Sequence, residues 1–186
     1  MDPIAELNAL MPPPPAEHRK VDWDESDWAR IEADLGRPIP SDFRAFVDRW
    51  GAGRLGDFLS PYVPAGPYHP SIVMPSAVRG PAEDYATLKS HNPGFTLPDF
   101  PQDGSLMTFA VTDSGDYIGW IVGPDDPDNW PIAIWGDEER TAEVFDGTSF
   151  GPFIVQLVQG ATRPAAFPGD LWDDLPWTFE PRSPRP

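Results

Sequence analysis

Between Leu106 and Phe145 the apolar residues stop recurring every three or four positions, and that change of period constrains the fold most. Four short runs rich in aromatic and β-branched residues take over: Leu106 to Val111, Tyr117 to Val122, Trp130 to Trp135 and Glu143 to Phe145. The breaks between them read Asp-Ser-Gly, Gly-Pro-Asp-Asp-Pro-Asp-Asn and Gly-Asp-Glu-Glu, which are turn compositions. Connections this short exclude parallel crossovers, so the region is expected to fold as an antiparallel meander.

Helical spacing governs the residues before it. Ser26 to Gly36 places Trp28, Ile31 and Leu35 on one face, with Ser26 as the expected cap and Gly36 as the stop. A second helix starts at Ser41 and carries Phe43, Phe46, Val47 and Trp50 inward, ending at Gly51 and Gly53. Leu55 to Leu59 reads as one short strand, and Ser76 to Lys89 as a helix weakened by Gly80 and Pro81. After the meander, Ser149 is expected to cap a helix with Phe153, Ile154 and Leu157 inward and Gly160 as its stop. Helices, then a meander, then a closing helix predict an α+β fold: N-terminal helices packed on an antiparallel sheet.

Composition divides the chain into three. Residues 1–22 and 161–186 hold eleven of the 26 prolines. The expected units are a Pro-rich N-terminal tail at 1–22, a folded domain at 23–162 and a Pro/Trp-rich extension at 163–186. Ile4, Leu7 and Leu10 could line a helical turn before Pro12 to Pro15 stop it. In the extension, Leu171 to Phe179 holds five large apolar residues, and such a segment either docks on the domain or binds a partner.

Thirteen Lys and Arg against thirty Asp and Glu give a net charge of −17. That sign repels phosphate, so direct binding to nucleic acid or to an anionic membrane is not expected, whereas a basic protein partner is favoured. Twelve of the acids lie between Asp99 and Asp146 beside a single base, Arg140. With no cysteine there is no disulfide or thiolate site. The N-terminus lacks the positive charge and apolar core of a signal peptide, and no run is long enough to span a membrane. A cytoplasmic location is expected.

Motifs for chemistry fail on context. Gly51 to Gly56 spells G-x-G-x-x-G, but a helix precedes it and a strand follows, the reverse of what a dinucleotide pyrophosphate needs. Asp125, Asp126, Asp128 and Asn129 resemble a cation loop, yet Trp130 falls on a ligand position and no closing Glu follows. His18, His69 and His91 are isolated, and Ser114 lacks a nucleophile elbow. Asp113 and Asp116 flank a turn and could act as acid and base, but turn aspartates commonly have no such role. No catalytic residue, metal ligand or cofactor is expected.

Two ordered series carry a family resemblance. The first is Trp28-x-x-Ile31-Glu32-x-x-Leu35-Gly36-x-x-Ile39-Pro40-x-Asp42-Phe43-Arg44-x-Phe46, then Gly51-x-Gly53. The second is Thr112-Asp-Ser-Gly115-Asp116, Trp120, Trp130-Pro131, the stretch from Phe145 to Phe150, then Phe153-Ile154 and Gly160. Together they resemble the SMI1/KNR4 family, also called the SUKH superfamily, over roughly residues 23–162. One departure is Ile39, where the family usually has Leu.

The resemblance implies a compact α+β domain without a catalytic site. Many bacterial members of the family are immunity proteins that bind and neutralise a toxin domain, often a nuclease, and fungal relatives act through protein contacts in cell-wall signalling. For this chain the expected function is stoichiometric neutralisation of a basic toxin domain. The expected partner-binding residues are Asp125, Asp126, Asp128, Asp137, Glu138 and Glu139 in the meander turns. A scaffold or regulatory protein with no toxin partner is the alternative. An open-rim Trp among Trp120, Trp130 and Trp135 would add an anchor.

Overall fold

The computed structural model describes residues 2–19, 23–136 and 141–183. Helix α1 (Pro3–Leu10) precedes the polyproline run, and α2 (Glu25–Leu35) and α3 (Ser41–Trp50) follow it. Strands β1 (Gly53–Leu55) and β2 (Leu59–Pro61) form a tight hairpin. Helix α4 (Ser76–His91) then leads into β3 (Leu106–Thr112), β4 (Tyr117–Ile121), β5 (Ile132–Trp135) and β6 (Glu143–Phe145). Helix α5 (Phe150–Val158) and a last strand, β7 (Phe179–Pro181), complete the chain.

All the strands join one antiparallel sheet in the order β6-β5-β4-β3-β2-β1-β7. The meander is therefore the centre and one edge of the sheet, as its turn lengths require. Strand alternation sorts its side chains between two cores. Ile118, Trp120, Ile132 and Ile134 join the larger core with Phe43, Phe46, Phe150 and Phe153 of α3 and α5. Their neighbours Tyr117, Ile121, Ala133 and Trp135 join a smaller cluster with Tyr85 of α4 and Phe95. Phe43 makes edge contacts with both Trp120 and Phe150, so one ring ties α3 to the sheet and to α5.

Local chemistry corrects several expected boundaries. Asp24, not Ser26, caps α2: its Oδ1 accepts the Ser26 N–H at 2.7 Å, and Asp27 Oδ2 accepts the Asp24 N–H at 3.2 Å. That reciprocal pair is a capping box, and two carboxylates near the helix start also suit its dipole. Leu55 to Leu59 is not one strand but the hairpin of β1 and β2. Gly56 and Asp57 both take left-handed backbone angles there, at φ of +57° and +50°, and reverse the chain. Helix α4 runs through Gly80 and Pro81; the carbonyl of Ala77, which Pro81 cannot serve, faces the Thr108 hydroxyl at 3.5 Å.

Side chains from residues 2–19 and 163–183 share the domain's core. Leu7 and Met11 are buried, Trp50 Nε1 donates to the Met11 carbonyl at 3.0 Å, and Arg49 Nε donates to Asn8 Oδ1 at 2.9 Å. At the other end the Trp-rich segment docks on the domain. The rings of Trp172 and Trp177 stack at 5.2 Å, and β7 pairs with β1 through Gly53↔Pro181 and Leu55↔Phe179. Glycine is required under this strap, because a Cβ at Gly53 would lie 2.3 Å from the Phe179 ring and one at Gly56 would lie 2.5 Å from Trp177. Among the described residues, no helix is long and apolar enough to cross a membrane.

Candidate protein-binding surface

The acidic turn between β4 and β5 is held from within. Asp126 Oδ1 accepts the Asp128 N–H at 3.1 Å, and the Asn129 N–H donates to the Asp126 carbonyl at 2.9 Å, which winds Pro127–Asn129 into one 3-10 turn. Trp130 is buried behind it. Asp125 is exposed, and its side chain has no hydrogen-bond partner among the described residues.

Asp128 has a second task. Its Oδ2 accepts the Ser41 hydroxyl at 2.6 Å and its Oδ1 accepts the Ser41 N–H, at the start of α3. The residue before α3 is Pro40, which provides no side-chain cap, so Asp128 satisfies a helix end that would otherwise lack an acceptor. The neighbouring carboxylate does the same for α5: Asp42 Oδ2 accepts the Gly151 N–H at 2.8 Å. Burial pushes the Asp42 carboxyl above the usual range, the Gly151 N–H opposes that rise, and the nearby charge of Asp128 adds to it.

The structure therefore separates the expected contact residues by role. Asp125 and Asp126 stand open at the turn, whereas Asp128 is half-buried and braces α3. Asp137, Glu138 and Glu139 lie outside the described residues. No Trp stands at an open rim: Trp120, Trp130 and Trp135 are all core residues, at 0%, 3% and 1% exposure. None of those three positions therefore supplies an aromatic anchor beside the acidic turns.

The rejected chemical motifs take structural places. Asp113 accepts from Arg54 Nη2, and Asp57 also pairs with Arg54 at 3.0 Å. Asp116 accepts the Thr112 hydroxyl at 3.1 Å and its own N–H donates back to that oxygen at 3.0 Å, closing the β3–β4 turn. Gly51 ends α3 and Gly53 opens β1, so the glycine series faces no helix N-terminus. Among the described residues, no three His, Asp or Glu side chains are placed to hold a metal ion. A cleft of about 520 Å3 lies between α4 and the sheet, lined by Ser60, Asp84, Thr112, Asp113, Tyr117 and Arg182 among others.

What the sequence reading missed is the long-range bracing by Asp42 and Asp128 and a second acidic surface on the C-terminal extension. The second was signalled by Asp170, Asp173 and Asp174 clustering around Trp172.

The fold and its charged turns define a small α+β domain built around one antiparallel sheet. Residues 23–156 match the model of the SMI1 / KNR4 family (SUKH-1), and the chain belongs to that family. Membership is consistent with an immunity-type, protein-binding domain. No curated protein and no solved structure gives a significant match.

Proposed function

We propose that this protein binds and neutralises a toxin protein whose own surface is basic, acting by occupancy and not by catalysis. The observation that supports the reading is the concentration of charge: net −17 overall, with twelve acids and one base between Asp99 and Asp146. A nuclease toxin must present cationic groups to hold phosphate, and an acidic inhibitor can cover them while its field speeds encounter. Asp125, Asp126, Asp128, Asp137, Glu138 and Glu139 are the proposed contacts. Asp125 and Asp126 suit that role by their exposure, and Asp128 contributes charge while bracing α3.

Affinity capture of the tagged chain from its source cells, at low and moderate salt, tests the reading. Recovery of one basic, toxin-like protein, strongest at low salt, supports neutralisation. Recovery of ordinary cellular proteins alone replaces it with a scaffold role in the same family.

A further inference from the structure

The C-terminal extension builds a groove lined by apolar and acidic side chains. It has a volume of about 470 Å3 and lies between the β1–β2 turn and residues 170–180. Leu171, Leu175 and Trp177 line it with apolar surface. Leu175 is 37% exposed, one of two large hydrophobic side chains left so open among the described residues. Asp57, Asp170, Asp174 and Glu180 also line the groove, and no described Lys, Arg or His does.

The carboxylates are not needed to hold the extension down. Trp172, Trp177 and Phe179 already anchor it through buried rings and strand pairing. Arg54 pairs with Asp57 at 3.0 Å, but the side chains of Asp170, Asp174 and Glu180 have no partner among the described residues. Leu175 is left partly in water and the carboxylates repel one another, and one kind of ligand relieves both.

We infer that this groove binds an extended segment of a protein partner rich in lysine and arginine. The methylene stems of such side chains cover apolar surface while their charged ends reach carboxylates. An acidic segment is repelled, and a neutral one leaves the three carboxylates unpaired. The groove lies on the extension, beyond the family-matched residues 23–156. The inference rests on the reading of this protein as a binder of basic proteins, but it locates a contact that includes none of the meander turns.

The test is a titration of the 15N-labelled full chain with a short blocked peptide of lysine, arginine and leucine. Its counterpart, with glutamate for every basic residue, is the control. The Trp177 indole N–H donates to the Leu171 carbonyl at 2.9 Å and reports from the groove; its signal is assigned by its loss in Trp177→Phe. The basic peptide is expected to shift that signal and the Leu175 and Thr178 amides, and the acidic peptide to shift none of them. Combining Asp170→Lys, Asp174→Lys and Glu180→Lys should weaken binding by at least about tenfold, with Asp174→Lys alone acting in the same direction. Glu83→Lys, at an exposed position on α4 away from both acidic surfaces, should leave it unchanged. No shift at the groove, an equal response to both peptides, or full affinity in the triple variant overturns the inference. Because the probe is synthetic, a negative titration removes the groove without touching the neutralisation reading. A failed capture of any basic toxin beside a positive titration does the reverse.

Discussion

Asp128, in the turn between β4 and β5, braces the first turn of α3 by accepting both the N–H and the hydroxyl of Ser41, 87 positions earlier. The most acidic turn of the meander is thereby fixed to a helix that carries four core residues, Phe43, Phe46, Val47 and Trp50. A partner that meets this turn meets a surface already set in place, which lowers the ordering cost of binding.

Removing that brace should be visible in stability. Asp128→Ala is expected to cost about 1 kcal/mol, within the range of roughly 0.5–2 kcal/mol for a lost helix cap. Asp125→Ala, at an exposed position without a partner, should change stability by less than about 0.5 kcal/mol. Urea unfolding of the two variants separates them; equal effects would sink the bracing role.

Asp42 gives the fold a specific pH signature. Its carboxyl, raised by burial and by Asp128, binds its proton more tightly in the folded chain than in the unfolded one. Its contribution to stability is therefore full below the ordinary value of 3.8 and is lost as pH rises through the raised folded value. In Asp42→Asn that dependence disappears. The unfolding free energy of wild type minus variant should fall as pH rises from the ordinary value toward neutrality, and a flat difference excludes the assignment. Asp24 has the opposite sign: the Ser26 hydroxyl and N–H lower its carboxyl, so its contribution is lost on acidification through its folded value.

The C-terminal strap should be integral to the domain. Trp177 is 2% exposed, and its truncation to Ala is expected to cost about 3–5 kcal/mol, the range for a buried large aromatic. Gly56→Ala should also destabilise, since the new Cβ meets both a left-handed backbone and the Trp177 ring. Thermal unfolding that leaves either variant at the wild-type midpoint would show the strap to be peripheral.

Charge at the meander turns should act mainly on the rate of association. Reversing Asp125, Asp126, Asp137, Glu138 and Glu139 to Lys should slow partner capture and flatten its salt dependence, because exposed charges steer encounter over about 10 Å at moderate ionic strength. Stopped-flow binding at two salt concentrations reads both quantities. An unchanged rate, with the fold intact, removes these turns from the interface.

Much of the architecture was legible in the sequence because its signals are local. The apolar spacing of Phe43, Phe46, Val47 and Trp50 defines a helix face without reference to any other element, and the turns around Asp113 and Asp125 delimit strands in the same way. Where local signals compete, the fold departs from the expected elements. Leu55 to Leu59 looked continuous because Leu55, Phe58 and Leu59 are all apolar, but the Gly56-Asp57 step reverses the chain between them. The candidate site was legible only as a set of acidic turns. Nothing adjacent to Asp125, Asp126 and Asp128 distinguishes the open carboxylates from the one engaged by Ser41.

The sequence by itself determined the helices α2, α3 and α5, the antiparallel meander, the excess of acid around it and the family, since periodicity, turn chemistry and net charge are properties of neighbouring residues or of composition. Only the tertiary structure decided which tryptophans are core, that α1 and β7 belong to the same packed unit, and that Asp42 and Asp128 serve helices far away in the chain. Those outcomes depend on which surfaces meet. Burial and hydrogen-bond satisfaction are settled between residues such as Ser41 and Asp128, or Gly53 and Phe179, whose proximity exists only once the sheet has formed.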